Sequence, residues 1–309
     1  MSSPRRVAFL CLGVMGAPMA GHLARSGLAV TVYNRTRSRA SDWLAGHEGL
    51  DVAMAETPAE AVREAEVVLA CSGADPDLRA ITLGPSGAFS AMRPGAIFVD
   101  HTTASAALAR ELDAEARRLG LAFLDAPVSG GQSGAEQGEL TIMLGGDEAS
   151  HARVAPLLGC YAKKQLLLGP AGSGQLAKMV NQICIGGLLE ALAEGLRFAE
   201  EAGLDARRVV EVISQGAAGS WQMANRAETM LEGRFDFGFA VDWMRKDLAM
   251  ALEEGARLGV SLAVTELVDT FYAEVQEMGG GRLDTSSLLL RLRDPERGRP
   301  PGGSGRLDR

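Results

Sequence analysis

The chain has 309 residues, 47% of them apolar and 23% charged, which is enough apolar material for two globular domains. Lys and Arg number 31 and Asp and Glu 39, so the net charge of −8 argues against a general nucleic-acid binder. No apolar run of about 18 residues stands out, so no membrane span is expected. Arg5 and Arg6 precede an apolar stretch much as in a signal peptide, but glycines break that stretch and no cleavage site follows. Residues 1–6 therefore read as a short tail before the first strand. Cys11, Cys71, Cys160 and Cys184 lie in apolar sequence without metal-ligand spacing. They are expected to be reduced core thiols of a cytoplasmic protein, and no metal site is expected.

The first half alternates short apolar runs with helical patterns. Strands are expected at residues 7–12, 29–33, 67–71, 97–100 and 122–125, with later strands at 141–144 and 165–168. Helices are expected between them at 17–26, 38–45, 59–65 and 105–119. This alternation predicts βαβ units and a mainly parallel, Rossmann-type sheet. After Gly174 the texture changes. Residues 175–201 run without proline, rich in Ala, Leu, Ile and Met, with Gly186-Gly187 as the one candidate break. Helical patterns follow at 206–214, 220–230, 242–258 and 263–278, and no strand candidate remains. The expected fold class is α/β, followed by an all-helical C-terminal domain. The expected division is a dinucleotide domain at 1–170, a helical domain at 171–293 and a disordered tail at 294–309.

The first strand runs into Cys11-Leu12-Gly13-Val14-Met15-Gly16 and then a helix. This is a GxGxxG dinucleotide loop with cysteine in place of its first glycine. Gly13 keeps the role of close approach to the pyrophosphate and Gly16 that of packing helix on strand. At Cys11 two outcomes are open. A positive φ would strain the cysteine. A negative φ would be free of strain and is the expectation here. A thiol at a helix N-terminus is also a candidate for a lowered pKa. The second strand ends in Tyr33-Asn34-Arg35-Thr36-Arg37. An NAD site usually carries Asp or Glu here, whereas Arg accommodates a 2′-phosphate. Asn34 does not repel that phosphate, Arg35 can pair with it and Thr36 adds a hydroxyl. NADP is the expected cofactor, with NAD as the alternative.

Three further strings carry chemistry: Asp125-Ala126-Pro127-Val128-Ser129-Gly130-Gly131, the run from Gly172-Ser173-Gly174-Gln175 through Lys178 to Asn181-Gln182, and Lys246-Asp247-Leu248. Together with the glycine loop they resemble the β-hydroxyacid dehydrogenase family, which includes 3-hydroxyisobutyrate dehydrogenase, tartronate semialdehyde reductase and L-threonate dehydrogenase. The resemblance runs over residues 5–292. It implies hydride transfer between NAD(P) and the hydroxyl carbon of a small β-hydroxy acid or the matching semialdehyde. It also implies a site at a cleft between the domains and a homodimer or homotetramer. Its catalytic lysine falls on Lys178, with Asn181 and Gln182 as the neighbouring polar pair. Ser129, Gly130 and Gly131 match the segment that grips the substrate acid. Lys246 matches a lysine that closes on the cofactor. Asp100-His101-Thr102-Thr103 resembles a D-x-S-T loop whose last residue, here Thr103, contacts the nicotinamide side. The cofactor set is thus Leu12, Gly13, Val14, Met15, Gly16, Asn34, Arg35, Thr36, Ser72, Thr103 and Lys246.

The residues support this independently. Lys178, Asn181 and Gln182 are spaced i, i+3, i+4 and share one helix face. A lysine within an apolar helix is costly to bury while charged, and desolvation depresses its pKa toward the range of a general acid–base. The Ser129-Gly130-Gly131 turn offers a hydroxyl and backbone N–H groups for a carboxylate. His22, His47, His101 and His151 are scattered, without mutual spacing for a metal. Trp221, Trp243, Phe235, Phe237 and Phe239 near Lys246 read as core, with one or two available to a substrate pocket. Two rivals differ in kind: an imine reductase on the same fold, and a non-catalytic dinucleotide-binding module. Lys178 counts against the first, and keeping Lys178, Asn181 and Ser129 together counts against the second.

Overall fold

The computed structural model describes residues 4–294, so the expected tail lies outside the described residues apart from Asp294. Two compact units divide the chain, Met1–Lys178 and Met179–Arg309. The first is built on β1 (Arg6–Leu10), β2 (Ala29–Tyr33), β3 (Val52–Met54), β4 (Val67–Ala70), β5 (Ile97–Asp100) and β6 (Ala122–Asp125). These form one parallel sheet in the order β3-β2-β1-β4-β5-β6, the doubly wound dinucleotide-binding order. Strands read as continuous apolar runs because both faces are covered. Val7 and Phe9 of β1 join one core with Val67, Leu69, Ile97 and Val99. Ala8 and Leu10 join the opposite core with Val68, Ala70 and Phe98.

Helices α1 (Gly16–Arg25), α2 (Arg37–Ala45), α3 (Pro58–Val62), α4 (Asp75–Leu83) and α5 (Ala106–Arg118) connect these strands. A second sheet follows. β7 (Val128–Ser129) pairs antiparallel with β8 (Leu140–Leu144), which pairs parallel with β9 (Ala162–Leu167). Between them lie α6 (Gly131–Gln137) and α7 (Glu148–Leu158). The strands β2, β5 and β6 match the sequence expectation to the residue. Five elements of this unit were not expected, each for a local reason. β7 is only two residues long. β3 is three residues at a sheet edge. α4 opens on Asp75-Pro76, a turn-like pair in sequence. α6 is glycine-rich, and α7 carries Pro156 inside it.

The second unit is helical: the remainder of α8 (Ser173–Glu201), then α9 (Ala206–Ile213), α10 (Trp221–Leu231), α11 (Val241–Leu258), α12 (Ala263–Glu277) and the unexpected short α13 (Leu288–Arg293). Its core joins Leu189, Leu192 and Leu196 of α8 with Met244 and Leu248 of α11, Val268 and Tyr272 of α12, and Leu288. α8 does not break at Gly186-Gly187. A Cβ at Gly186 would lie 3.5 Å from Val268 Cγ1 and 3.7 Å from Leu248 Cδ2, ordinary contact distances, so the packing of α11 and α12 on the helix does not itself require glycine there. The expectation that no span is present meets one helix of span-like length, α8, and a core helix of a globular protein has the same length and apolarity. By length and composition alone α8 is long and apolar enough to cross a membrane, with mean hydropathy 1.3 in its apolar window, and 44% of that window is buried within the protein.

Candidate active site

The strand order reverses between β1 and β4, and open parallel sheets bind ligands beyond the carboxyl ends of strands at such a point. β1 ends at the glycine loop and β4 ends just before Cys71-Ser72. The loop fits a dinucleotide. A Cβ at Gly13 would meet nothing within 4 Å, so the backbone is open to close approach there. A Cβ at Gly16 would meet Cys11 O at 2.0 Å and the Phe9 ring at 3.0 Å, so α1 packs against β1 only with glycine at that position. Met15, at the N-cap of α1, makes no side-chain hydrogen bond, so no side chain competes with an anionic ligand for the first-turn N–H groups. Leu12 is buried and its N–H donates to Asn34 Oδ1 at 2.9 Å, while Asn34 Nδ2 donates to Thr36 O at 2.9 Å. Asn34 thus latches the glycine loop to the end of β2, a role its sequence position did not announce.

Cys11 overturns the expectation of unstrained backbone. Its φ is +75°, the one non-glycine positive φ among the described residues, and its N–H donates to Tyr33 O at 2.8 Å. The turn needs the glycine conformation, and cysteine adopts it under strain. The thiol is not activated either. Burial first, and then Asp77, push it up to about 12, so the dipole of α1 does not win. Cys11→Gly is therefore expected to hold or raise the melting temperature, because relief of about 1–2 kcal/mol of left-handed strain outweighs an added unfolded-state entropy of up to about 1 kcal/mol. NADPH affinity should tighten several-fold. Weaker binding in a fluorescence titration would show that the thiol contributes to the loop. The other cysteines depart from a core role to different degrees: Cys71 and Cys160 are half-buried and Cys184 is exposed.

Arg35 is 86% exposed and its Nη1 lies 3.0 Å from Asp77 Oδ1. On the next strands, Ser72 N–H donates to Thr102 Oγ1 at 2.9 Å, and the two hydroxyls lie 3.1 Å apart. Thr102 N–H donates to Asp100 Oδ1 at 3.0 Å. Burial pushes Asp100 up to about 7, and its Oδ2 makes no hydrogen bond. His101 is a core residue: Nδ1 lies 2.7 Å from Ala126 O, Nε2 lies 2.8 Å from Tyr161 OH, and burial lowers it to about 4.

Asp125 ends β6 and accepts from Gly172 N–H at 2.7 Å and Gln175 N–H at 2.9 Å, capping α8 from another element. A Cβ at Gly174 would meet Met143 O at 2.5 Å and Asp125 O at 2.7 Å, and one at Gly145 would meet Asp125 Oδ1 at 2.5 Å. The helix start is therefore seated on the sheet through glycines. Lys178 is buried on α8, three residues past Gln175. Ser129 ends β7, Gly130 (φ +134°) is the N-cap of α6 and Gly131 (φ +62°) opens it, so the expected free loop is a strand end and a first helical turn.

In the second unit, Gln182 is buried. Its Nε2 donates to Asp247 Oδ2 at 2.7 Å and its Oε1 accepts from Asn181 Nδ2 at 2.8 Å. Lys246 Nζ lies 3.3 Å from Asp247 Oδ1 and 5.6 Å from the Trp243 ring centroid. Asp247, quoted in sequence only as part of a string, links Gln182 to Lys246. Among the described residues no group of three or more His, Cys, Asp or Glu could hold a metal.

This sheet order and glycine loop define a dinucleotide-binding protein. Residues 6–169 match the NAD binding domain of 6-phosphogluconate dehydrogenase, and residues 172–292 match the NAD-binding domain of NADP-dependent 3-hydroxyisobutyrate dehydrogenase. The chain is 57% identical to an uncharacterized oxidoreductase of Shewanella frigidimarina, over 93% of this chain and 98% of that one. It is 33% identical to the 2-hydroxy-3-oxopropionate reductase of Escherichia coli, over 93% and 97%. A solved 3-hydroxyisobutyrate dehydrogenase of Mycobacterium tuberculosis with L-serine superposes with TM-score 0.84 at 32% identity, over 94% of this chain and 99% of that one. The chain belongs to the β-hydroxyacid dehydrogenase family, and it is an NAD(P)-dependent oxidoreductase of the 3-hydroxyacid dehydrogenase/reductase class.

Proposed function

We propose that the chain is a cytoplasmic, NADP-preferring enzyme acting on a small β-hydroxy acid or its semialdehyde, with Lys178 as general acid–base. The bound cofactor supplies or accepts the hydride at the substrate's hydroxyl carbon. In the oxidation direction neutral Lys178 Nζ takes the hydroxyl proton as the C–H electron pair leaves. In reduction the ammonium returns that proton to the forming alkoxide. Asn181 orients the reacting oxygen, and Gln182, tied to Asp247, holds Asn181. Ser129 and the N–H groups of Gly130 and Gly131 receive the substrate carboxylate. Residues 12–16, Asn34, Arg35, Thr36, Ser72, Thr103 and Lys246 serve the cofactor. The cofactor domain is assigned to residues 1–170 and the helical domain to 171–293, with a homodimer or homotetramer as the assembly. The observation that carries the reading is a lysine 7% exposed on α8, a helix whose start is pinned by the buried carboxylate of Asp125. The test is a panel of 3-hydroxyisobutyrate, threonate, glycerate and serine with NADP and NAD, and of glyoxylate and succinic semialdehyde with NADPH and NADH. Absence of turnover across both panels would sink it.

Cofactor preference rests on Arg35. Its exposed pair with Asp77 is worth about 0–1 kcal/mol, whereas a charge-assisted contact to a 2′-phosphate contributes about 1.5–3 kcal/mol. The phosphate therefore wins the guanidinium. Arg35→Asp should lower kcat/KM for NADP relative to NAD by about 10- to 100-fold. A wild-type enzyme that already favours NAD in kcat/KM would refute the assignment.

A further inference from the structure

One buried amide in the dinucleotide-binding unit has no part in the chemistry above. Gln175 lies on the first turn of α8 and is fully buried. Its Nε2 donates to Thr102 O at 2.8 Å and its Oε1 accepts from Ala104 N–H at 3.1 Å. A single side chain thus bonds the peptide groups on both sides of Thr103. We propose that Gln175 is a positioning residue for the reaction: it clamps the Thr103 loop, on the nicotinamide side, to the helix turn that carries Lys178. The proposal rests on the role given above to Lys178.

The clamp is anchored at both ends. On the helix side, Asp125 accepts the N–H of Gln175 itself and that of Gly172, so the main chain from which the amide projects is held. On the loop side, Thr102 is held by Asp100 through its N–H and by Ser72 through its hydroxyl. Lys178 follows Gln175 by three residues, hence on the same helix face. A shift of the Thr103 loop relative to α8 would have to break both amide bonds and leave Thr102 O and Ala104 N–H buried without partners. The side chain must donate at one atom and accept at the other. Leucine has the size of glutamine and does neither. Ionised glutamate only accepts, but protonated glutamate both donates and accepts.

That last property supplies the test. Gln175→Leu and Gln175→Glu would be assayed on whichever panel substrate turns over fastest, with NADPH affinity, circular dichroism and melting temperature measured for each. Gln175→Leu should lose about 10- to 100-fold in kcat, the scale of an ångström-size misplacement, with little change in NADPH affinity. Gln175→Glu should turn over near the wild-type rate at low pH and lose activity as the new carboxyl ionises, with unchanged circular dichroism. The groups facing that carboxyl are Asp125, against the same residue's N–H, and Asp100, behind Thr102. Lys178 stands three residues on along the same helix face and, while charged, opposes the shift; burial and the two acidic groups push the new pKa upward against it. A wild-type pH profile in Gln175→Glu, a loss of activity that coincides with unfolding at the same pH, or Gln175→Leu within about two-fold of wild type would each overturn the clamp. If Gln175→Leu does not fold, the pH profile of Gln175→Glu decides alone. Lys178→Ala assayed in parallel separates the two ideas. An active Lys178→Ala removes the lysine's role, while an inactive one beside wild-type Gln175 variants removes the clamp alone.

Discussion

Lys178→Ala is expected to lower kcat by about 10²–10⁴-fold, the usual worth of a positioned general acid–base, while NADPH affinity and melting temperature stay close to wild type. Alanine is the best helix former, so α8 keeps its course. The dinucleotide is assigned to the glycine loop, the segments after β1, β2, β4 and β5, and Lys246, none of which is the substituted residue. Affinity measured by NADPH fluorescence and rate measured by single turnover therefore come apart. Small primary amines added to the variant should restore part of the rate, because the missing function is a proton carrier on nitrogen. A variant that keeps more than about a tenth of the wild-type rate would remove Lys178 from proton transfer.

The doubly wound sheet was legible because its strands are buried on both faces and its connections follow the helical period. Residues 29–33, 97–100 and 122–125 needed nothing more than an apolar run between turn signals. Gly13 and Gly16 were legible for the same reason, since the steric demands of the loop are local. What escaped was long-range or conformational. The φ of Cys11 is set by its bond to Tyr33 O, across the sheet from β1 to β2. Asn34 reads in sequence as a residue tolerant of phosphate, yet its oxygen is spent on Leu12 N–H, 22 positions away. The glycines of Gly172-Ser173-Gly174 fell in a recognisable string. The carboxylate that caps this helix start, at the end of β6, lies 47 to 50 positions upstream. Gln175 and Asp247 were visible as letters of such strings, but only their partners show what they hold.

The largest stability effect is expected in the helical unit, at Arg291. Its Nη2 lies 2.5 Å from Glu190 Oε1, joining α13 to α8, and its guanidinium carbon lies 3.7 Å over the Phe271 ring of α12. Both partners are buried, and the pair is incomplete: Glu190 Oε2 and Arg291 Nε make no hydrogen bond. Desolvation wins over the arginine and pushes Glu190 up to about 7, above its ordinary value of 4.5. A carboxyl raised in the folded state contributes stability that is full below its unfolded pKa and is lost as pH rises through the folded one. In the wild type that window runs from about 4.5 to about 7. Arg291→Leu removes the group that holds the carboxylate ionised, so the folded pKa climbs further and the loss extends to higher pH. At pH 8 the variant should be less stable by about 3–5 kcal/mol, the cost of stranding one member of a buried pair. At pH 6 the deficit should shrink, because Glu190 is then protonated in both proteins. Adding Glu190→Leu to Arg291→Leu should recover much of the loss, since apolar replacement of both members leaves no buried charge. Urea unfolding of the three proteins at pH 6 and pH 8 checks this. Equal deficits at the two pH values, or a double variant no better than Arg291→Leu, would show that the arginine stabilises through its packing on Phe271 and not through Glu190.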